Sequence, residues 1–377
     1  MEIPEQQLSN LREIYRDPSG KTFIYFGEYT PPSGPSIPVA IKKIRCTGMH
    51  ESYVYCEECR NQMRVPGENV CRIFGWNMSP DLVTIVMERL DNDLAKEIAM
   101  RKGQSFPYSE VELLRFLWDV VNVFAEMQLI ILSHCDIKAE NIFVLKRNGS
   151  ITYKVGDFGS AGTVHSLVNG LKGTPLYLSP ILKREYHKAS YGGPAQNIYH
   201  NPIKSDVFSL GVTLIYAAEL QPPSDLLDDS NLEWKLNSHM QRIQPCYPTV
   251  ALVLGQMLIM DETKRCDFED IRNYLITLDQ LKDHRKTNPI ASIPKTTVQA
   301  TNPEDYVDCL NTGLEREEWE IVENALEILE RRGDLAALVP KAQRWATKCL
   351  HCLNWIPLSS KQCESCHMPK SEAVSLA

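Results

Sequence analysis

The hydrophobic pattern changes its period near Leu90, and this change constrains the fold more than any other feature of the chain. Before it, short runs rich in aromatic and β-branched residues read as strands. These are residues 22–29, 39–44, 70–76 and 82–87, with a Pro- and Gly-rich loop from Pro31 to Pro38 between the first two. One helix is expected there, over 52–65, stopped by Pro66-Gly67. Beyond Leu90 the apolar residues recur at helical spacing. Val111, Leu114, Leu117, Val120, Val121 and Phe124 share one face of a helix over 108–131, and Ser109 is its N-cap. A hairpin interrupts the helices, with arms 142–145 and 151–155 around Asn148-Gly149. Further helices are predicted at about 204–219, 251–260 and 268–282. The class this implies is α+β in two lobes: a small β-rich lobe over about 1–90 and a larger helical lobe over about 91–282.

Composition supports a folded chain. Of 377 residues, 43% are hydrophobic and 23% charged, enough apolar material for a sizeable core. The net charge of −8 argues against indiscriminate nucleic-acid binding. The best apolar run, 113–132, is broken by Arg115, Asp119 and Glu126, so no membrane helix is expected. The first residues carry neither the basic nor the apolar region of a signal peptide, and a cytoplasmic location is the expectation, with a nuclear one left open. Residues 283–302 lack apolar periodicity and read as a linker. Residues 303–347 are helical again, with Trp319, Val322, Leu326 and Leu329 on one face.

Chemistry concentrates in three short segments. Lys42 lies inside the apolar strand Val39-Ala-Ile-Lys-Lys-Ile; Asp136 lies in His134-Cys-Asp-Ile-Lys-Ala-Glu-Asn, just before the hairpin; and Asp157 opens Asp-Phe-Gly just after it. Antiparallel arms bring Asn141, at one open end, close to Asp157 at the other. A carboxylate and an amide oxygen form a hard-oxygen site suited to Mg²⁺, which takes its remaining ligands from water and substrate phosphates. Asp136 beside that site can orient a hydroxyl and accept its proton, and Lys138 can neutralise charge on a transferring phosphoryl group.

In these motifs the sequence resembles the eukaryotic protein-kinase family. Val-Ala-Ile-Lys at Lys42, the loop from Asp136 to Asn141, and Asp-Phe-Gly at Asp157 follow its order and spacing. Gly173-Thr-Pro-Leu-Tyr-Leu-Ser-Pro resembles the end of its activation segment, and Ser205-Asp-Val-Phe-Ser-Leu-Gly its buried central helix. The resemblance covers about residues 10–282. It implies a two-lobed kinase fold, ATP with Mg²⁺ between the lobes, and a protein substrate. Lys42 would hold the α- and β-phosphates, braced by a helix glutamate; counting back from Glu68-Asn-Val-Cys favours Glu58, with Glu57 adjacent. Met87-Glu88-Arg89-Leu90 would be the hinge, with Glu88 and Leu90 meeting adenine and Phe143 lying beneath it. Lys138 together with Thr174 resembles the Ser/Thr branch, which gives Thr174 a place in the catalytic set.

The sequence departs from the family at four points. Asp17, Ser19 and Thr22 stand at the glycine positions of the phosphate loop, where only Gly20, off register, remains to approach nucleotide. Cys135 replaces the arginine before the catalytic Asp, which makes switching by loop phosphorylation less expected. Ile181 replaces the glutamate that usually pairs with a lobe arginine, here Arg265. Residues 181–204 form an insertion with Tyr186, Tyr191 and Tyr199, read as a surface loop in preference to a substrate-recognition element.

Twelve cysteines without a signal peptide read as thiols or metal ligands. Cys349, Cys352, Cys363 and Cys366 form C-x₂-C-x₁₀-C-x₂-C, whose two knuckles suit a closed, structural Cys₄ Zn²⁺ site over 348–370. The spacing resembles the Ran-binding-protein type of zinc finger, which implies ubiquitin, RNA or another protein as partner. The combined expectation is an active Ser/Thr protein kinase with a zinc-binding recruitment tail. The alternative is a pseudokinase scaffold that binds partners without phosphoryl transfer. Oligomeric state is not legible.

Overall fold

The computed structural model describes residues 3–147, 149–163, 171–190 and 198–277, together with the backbone of three short strands near the C-terminus. The chain divides into two compact units, Met1–Thr287 and Asn288–Ala377.

The first unit opens with β1 (Leu8–Arg16), β2 (Thr22–Tyr29) and β3 (Ile37–Arg45), then α1 (Met49–Arg64), β4 (Ile73–Met78) and β5 (Leu82–Glu88). The five strands form one antiparallel sheet in the order β1-β2-β3-β5-β4. Its register sets the two faces. Lys42 pairs with Ile24 and Ile85, and Ala40 with Phe26 and Met87, so all six side chains point to one side. On that side Ile44, Val83 and Ile85 pack with Cys59 of α1. The opposite side is closed by Val39, Ile41 and Val86 with Ile3, whose N–H donates to Asn77 Oδ1 at 2.9 Å.

The second lobe follows as β6 (Asn92–Asp93), α2 (Leu94–Gly103), α3 (Glu110–Leu129), β7 (Leu132–Ser133), β8 (Ile142–Arg147), β9 (Ser150–Val155) and β10 (Gly162–Thr163). Then come α4 (Pro180–Ser190), α5 (Pro202–Glu219), α6 (Leu232–Ile243), α7 (Pro248–Met257) and α8 (Phe268–Thr277). Its core is one cluster centred on α3 and α5, both apolar on nearly every side and accordingly buried. Helix α3 begins with a reciprocal capping box: Ser109 Oγ accepts from Glu112 N–H, and Glu112 Oε2 accepts from Ser109 N–H at 2.7 Å. No described helix is long and apolar enough to cross a membrane.

Several elements differ from the sequence reading: α2 and α6 stand where it placed no helix, and β1 and α4 depart from it as well. β1 carried no alternation signal because it is an edge strand exposed along nearly its whole length, and alternation needs one buried face. The stretch read as a surface loop from 181 onward begins instead as α4. Pro180 stands at its first position, where a missing N–H costs nothing, and Leu182 joins Leu178 and Ile198 in a small apolar cluster.

In the second unit β11 (Ala346–Cys349), β12 (Trp355–Pro357) and β13 (Ala373–Val374) form a three-stranded sheet in the order β12-β11-β13. Residues 346 and 347, read from sequence as the end of a helical segment, open β11. The linker, the rest of that segment, and Cys352, Cys363 and Cys366 lie outside the described residues, as does the side chain of Cys349.

Candidate active site

The β8–β9 hairpin makes the central juxtaposition. Ile142 pairs with Val155, and Gly156 N–H donates to the Asn141 carbonyl at 3.1 Å, so Asn141 and Asp157 leave the same open end. Asp157 itself takes a left-handed backbone, φ +58°, which turns its carboxyl out of the strand direction. Phe143 on β8 lies against Gly156, where a Cβ would come within 2.8 Å of its ring. Glycine is required there for close approach.

The loop carrying Asp136 is held from below by Asp206 on α5. That carboxylate accepts from Ser133 Oγ at 2.6 Å, His134 N at 2.7 Å and Cys135 N at 2.9 Å. Cys135 is thereby fixed at φ +62°, a conformation that costs a non-glycine residue about 1–3 kcal/mol unless its surroundings enforce it. Burial pushes the Asp206 carboxyl above its usual range, against the pull of these donors. The His134 ring packs between Phe124 and Phe158 and meets the Gly156 carbonyl at 3.2 Å.

Asp136, Lys138 and Thr174 close a triangle of short contacts. Thr174 Oγ1 donates to Asp136 Oδ1 at 2.7 Å, Lys138 Nζ donates to Thr174 Oγ1 at 2.9 Å, and Lys138 Nζ lies 2.7 Å from Asp136 Oδ2. Asn141 Nδ2 donates to the Asp136 carbonyl at 2.8 Å and to Oδ2 at 3.2 Å. Asp136 therefore has a fixed orientation, with an ammonium beside it. This geometry suits a group that aligns a hydroxyl while a neighbouring cation stabilises an anion.

Above the hairpin, Lys42 Nζ reaches Asp157 Oδ1 at 3.5 Å. Burial works against the Lys42 cation, but the Asp157 and Glu58 carboxylates outweigh it and raise its pKa. Asp157 is likewise opposed by burial, and Lys42 with His134 holds its pKa below the ordinary value. Glu58 settles against the Asp-Phe-Gly turn, with Oε1 3.1 Å from where a Cβ of Gly159 would stand. It makes no ion pair with Lys42 within 4 Å, and burial pushes its pKa up to about 7. Glu57 points outward to Arg60, so of the two candidate glutamates Glu58 faces the site.

Gly20 does not join this cluster. It sits at φ +68° in the β1–β2 turn, its N–H donating to the Asp17 carbonyl at 3.0 Å. The Asp17 carboxylate accepts from Ser19 Oγ at 2.8 Å and Lys21 N–H at 3.1 Å. A carboxylate of the chain itself thus occupies donors that a phosphate loop offers to nucleotide. Lys21 is held away from the cleft by Glu51 at 2.6 Å. At the hinge, the Glu88 side chain turns to Lys154 at 2.9 Å, Leu90 is buried, and the Arg89 guanidinium lies 4.2 Å over the Phe26 ring.

The oxygens of Asp157 and Asn141 fit a Mg²⁺ that completes its shell with water and phosphate. Asn141 spends its Nδ2 on Asp136, which turns its amide oxygen away, and among the described residues Asp157 is bonded by Lys42 through Oδ1 alone. Among the described residues no cluster of three or more His, Cys, Asp or Glu could hold a metal ion. Sequence reasoning missed the role of Asp206, whose signal was an acid among the apolar residues of a buried helix.

Comparison with known proteins agrees with this geometry. A family model described as a protein kinase domain matches residues 34–275. Serine/threonine-protein kinase TAO1-B of Xenopus laevis is 29% identical over 223 residues, which is 58% of this chain and 20% of that protein. Serine/threonine-protein kinase TAO3 of Rattus norvegicus is 28% identical over 225 residues, 59% of this chain and 23% of its own. The probable serine/threonine-protein kinase nek3 of Dictyostelium discoideum is 29% identical over 196 residues, 50% of this chain and 16% of its own. The match thus spans about a fifth of the length of these relatives.

Proposed function

The chain belongs to the protein kinase family, and from that premise we propose that it transfers the γ-phosphate of ATP to Ser or Thr hydroxyls of protein substrates. The observation that carries this reading is the Asp136–Lys138–Thr174 triangle at the open end of the β8–β9 hairpin. Asp136 aligns the substrate hydroxyl and accepts its proton. Lys138 offsets charge on the transferring group and, through Thr174, ties the catalytic loop to the segment that receives the substrate. Lys42 holds the α- and β-phosphates, and the hinge backbone at Glu88 and Leu90 receives adenine over Phe143. Asn141 and Asp157 would hold a Mg²⁺, which would supply further positive charge at the phosphates.

The test is incorporation of γ-phosphate from ATP–Mg²⁺ into a Ser/Thr protein mixture, with Asp136→Asn as control. Lys42→Met and Asp157→Ala are each expected to reduce transfer at least about a thousandfold while the fold survives, because the reaction rests on positioning and electrostatics. Full rate in any of the three variants would sink the assignment. The second reading, a scaffold without phosphoryl transfer, is favoured by the Asp17 turn, which occupies its own phosphate-loop donors. Absence of both transfer and nucleotide-induced thermal stabilisation would decide for it.

For the C-terminal unit the reading is a Cys₄ zinc knuckle that recruits a protein, ubiquitin or RNA partner, in a cytoplasmic protein. Its support is the spacing of Cys349, Cys352, Cys363 and Cys366. Metal analysis of the purified chain should find one zinc per molecule, lost in Cys363→Ser. Zinc content unchanged by that substitution refutes the site.

A further inference from the structure

The turn that receives the substrate, residues 174–177, has a complete accounting of its carbonyls. Thr174 O accepts from Tyr177 N–H at 2.9 Å, and Tyr177 O accepts from Ser209 Oγ at 2.8 Å. The remaining two are met by one side chain. Lys183 Nζ donates to Pro175 O at 2.9 Å and Leu176 O at 3.1 Å, and spends its third N–H on Leu226 O at 2.5 Å. Lys183 is fully buried, one of the largest wholly enclosed side chains among the described residues. No carboxylate lies within 4 Å of its ammonium among the described residues; Asp228 and Asp229 act on it only at longer range.

A buried cation without a carboxylate is costly, and a chain carries one where its hydrogen bonds hold something in place. What is held here is the backbone immediately following Thr174, the residue bonded to both Asp136 and Lys138. The third bond crosses to the segment between α5 and α6, so one ammonium fastens the turn to the body of the helical lobe. The neighbouring tie from α4, His187 Nε2 to Leu227 O at 3.1 Å, reaches that segment without touching the turn.

We propose that Lys183 is a positioning residue for protein-substrate phosphorylation: a three-carbonyl clamp that fixes the 174–177 turn and, through Thr174, the orientation of Asp136. The part concerning substrate rests on the kinase reading above; the part concerning the clamp does not.

Hydrogen–deuterium exchange of the full chain tests the clamp without any need for activity. In Lys183→Met, which keeps the length of the side chain and removes its donors, amides of the 173–179 peptide are expected to exchange about tenfold faster, while α3 peptides stay within about twofold of the parent. His187→Ala should leave 173–179 unchanged. Parent-like exchange of 173–179 in Lys183→Met overturns the proposal, and so does loosening of α3 to the same extent, which would make Lys183 a general core residue. Should Lys183→Met not fold, Lys183→Arg keeps the cation but replaces three tetrahedral donors by a planar fork that does not match the three carbonyls. Selective change at 173–179 then supports the clamp, and its absence overturns it. Steady-state kinetics add the second arm. KM for a protein substrate should rise about tenfold in Lys183→Met with KM for ATP unchanged; a matching rise in both refutes the positioning role. Failure of the parent chain to transfer phosphate would refute the kinase reading, leaving the exchange result to judge the clamp.

Discussion

Replacing Thr174 by valine removes one hydroxyl from the Asp136–Lys138–Thr174 triangle and little else, because valine has nearly the same shape. The hydroxyl donates to Asp136 at 2.7 Å and accepts from Lys138 at 2.9 Å. Asp136 and Lys138 keep their own contact at 2.7 Å with or without the hydroxyl, so two hydrogen bonds to charged groups are lost, of which the one donated to Asp136 fixes its orientation. Such a bond is worth about 1.5–3 kcal/mol. If that energy orients Asp136 in the transition state, transfer slows about 10- to 150-fold at about 1.4 kcal/mol per decade. Single-turnover transfer at saturating ATP measures it, alongside ATP affinity by titration. Thr174→Ser restores the hydroxyl and should restore the rate to within about threefold. The reasoning is refuted if Thr174→Val keeps its rate within twofold of the parent, or if ATP affinity falls by the same factor as the rate.

Asp17→Gly removes the carboxylate that holds Ser19 Oγ and Lys21 N–H, so KM for ATP should fall about 3- to 10-fold with kcat nearly constant; an unchanged KM would show that the turn does not compete with phosphate. Ser109→Ala breaks the capping box of α3 and should cost about 1 kcal/mol in denaturant unfolding, a figure that an unshifted midpoint contradicts. Burial depresses the Lys183 pKa from 10.5 to about 8. Between those values the unfolded chain keeps a proton that the folded chain has released, so folding stability gains with rising pH across that window. The gain approaches about 3 kcal/mol at its upper end. Lys183→Met should lack this component. The difference in unfolding free energy between parent and variant, measured at pH 7.5 and pH 9.5, gives the sign, since Asp228, Asp229 and Lys235 are common to both.

Legibility followed the range of each signal. Strand β2, helix α3 and the β8–β9 hairpin were readable because their periods, Ser109 and the Asn148-Gly149 turn are local. The antiparallel geometry of that hairpin was enough to place Asn141 near Asp157. β1 was not readable, since an exposed edge strand has no period to show. α4 was hidden because few of its side chains are buried and Ile198, which packs with Leu182, stands far along the chain from it. Arg265, expected to need a new partner once Ile181 stands in place of a glutamate, is buried and donates to the Ile259 and Lys204 carbonyls at 2.9 and 2.7 Å, above the Phe208 ring.

The residue types of the site, their order and the α+β class are written in the chain, because periodicity, turn chemistry and motif spacing act over a few residues. The pairing of Lys42 with Asp157 in preference to Glu58 was decided in three dimensions. The same holds for the support Asp206 gives to the loop and for the carbonyls Lys183 collects from two distant segments. A buried charge must find its partners among whatever groups packing delivers to it. Those groups come from positions tens of residues apart, a correlation that no local pattern records.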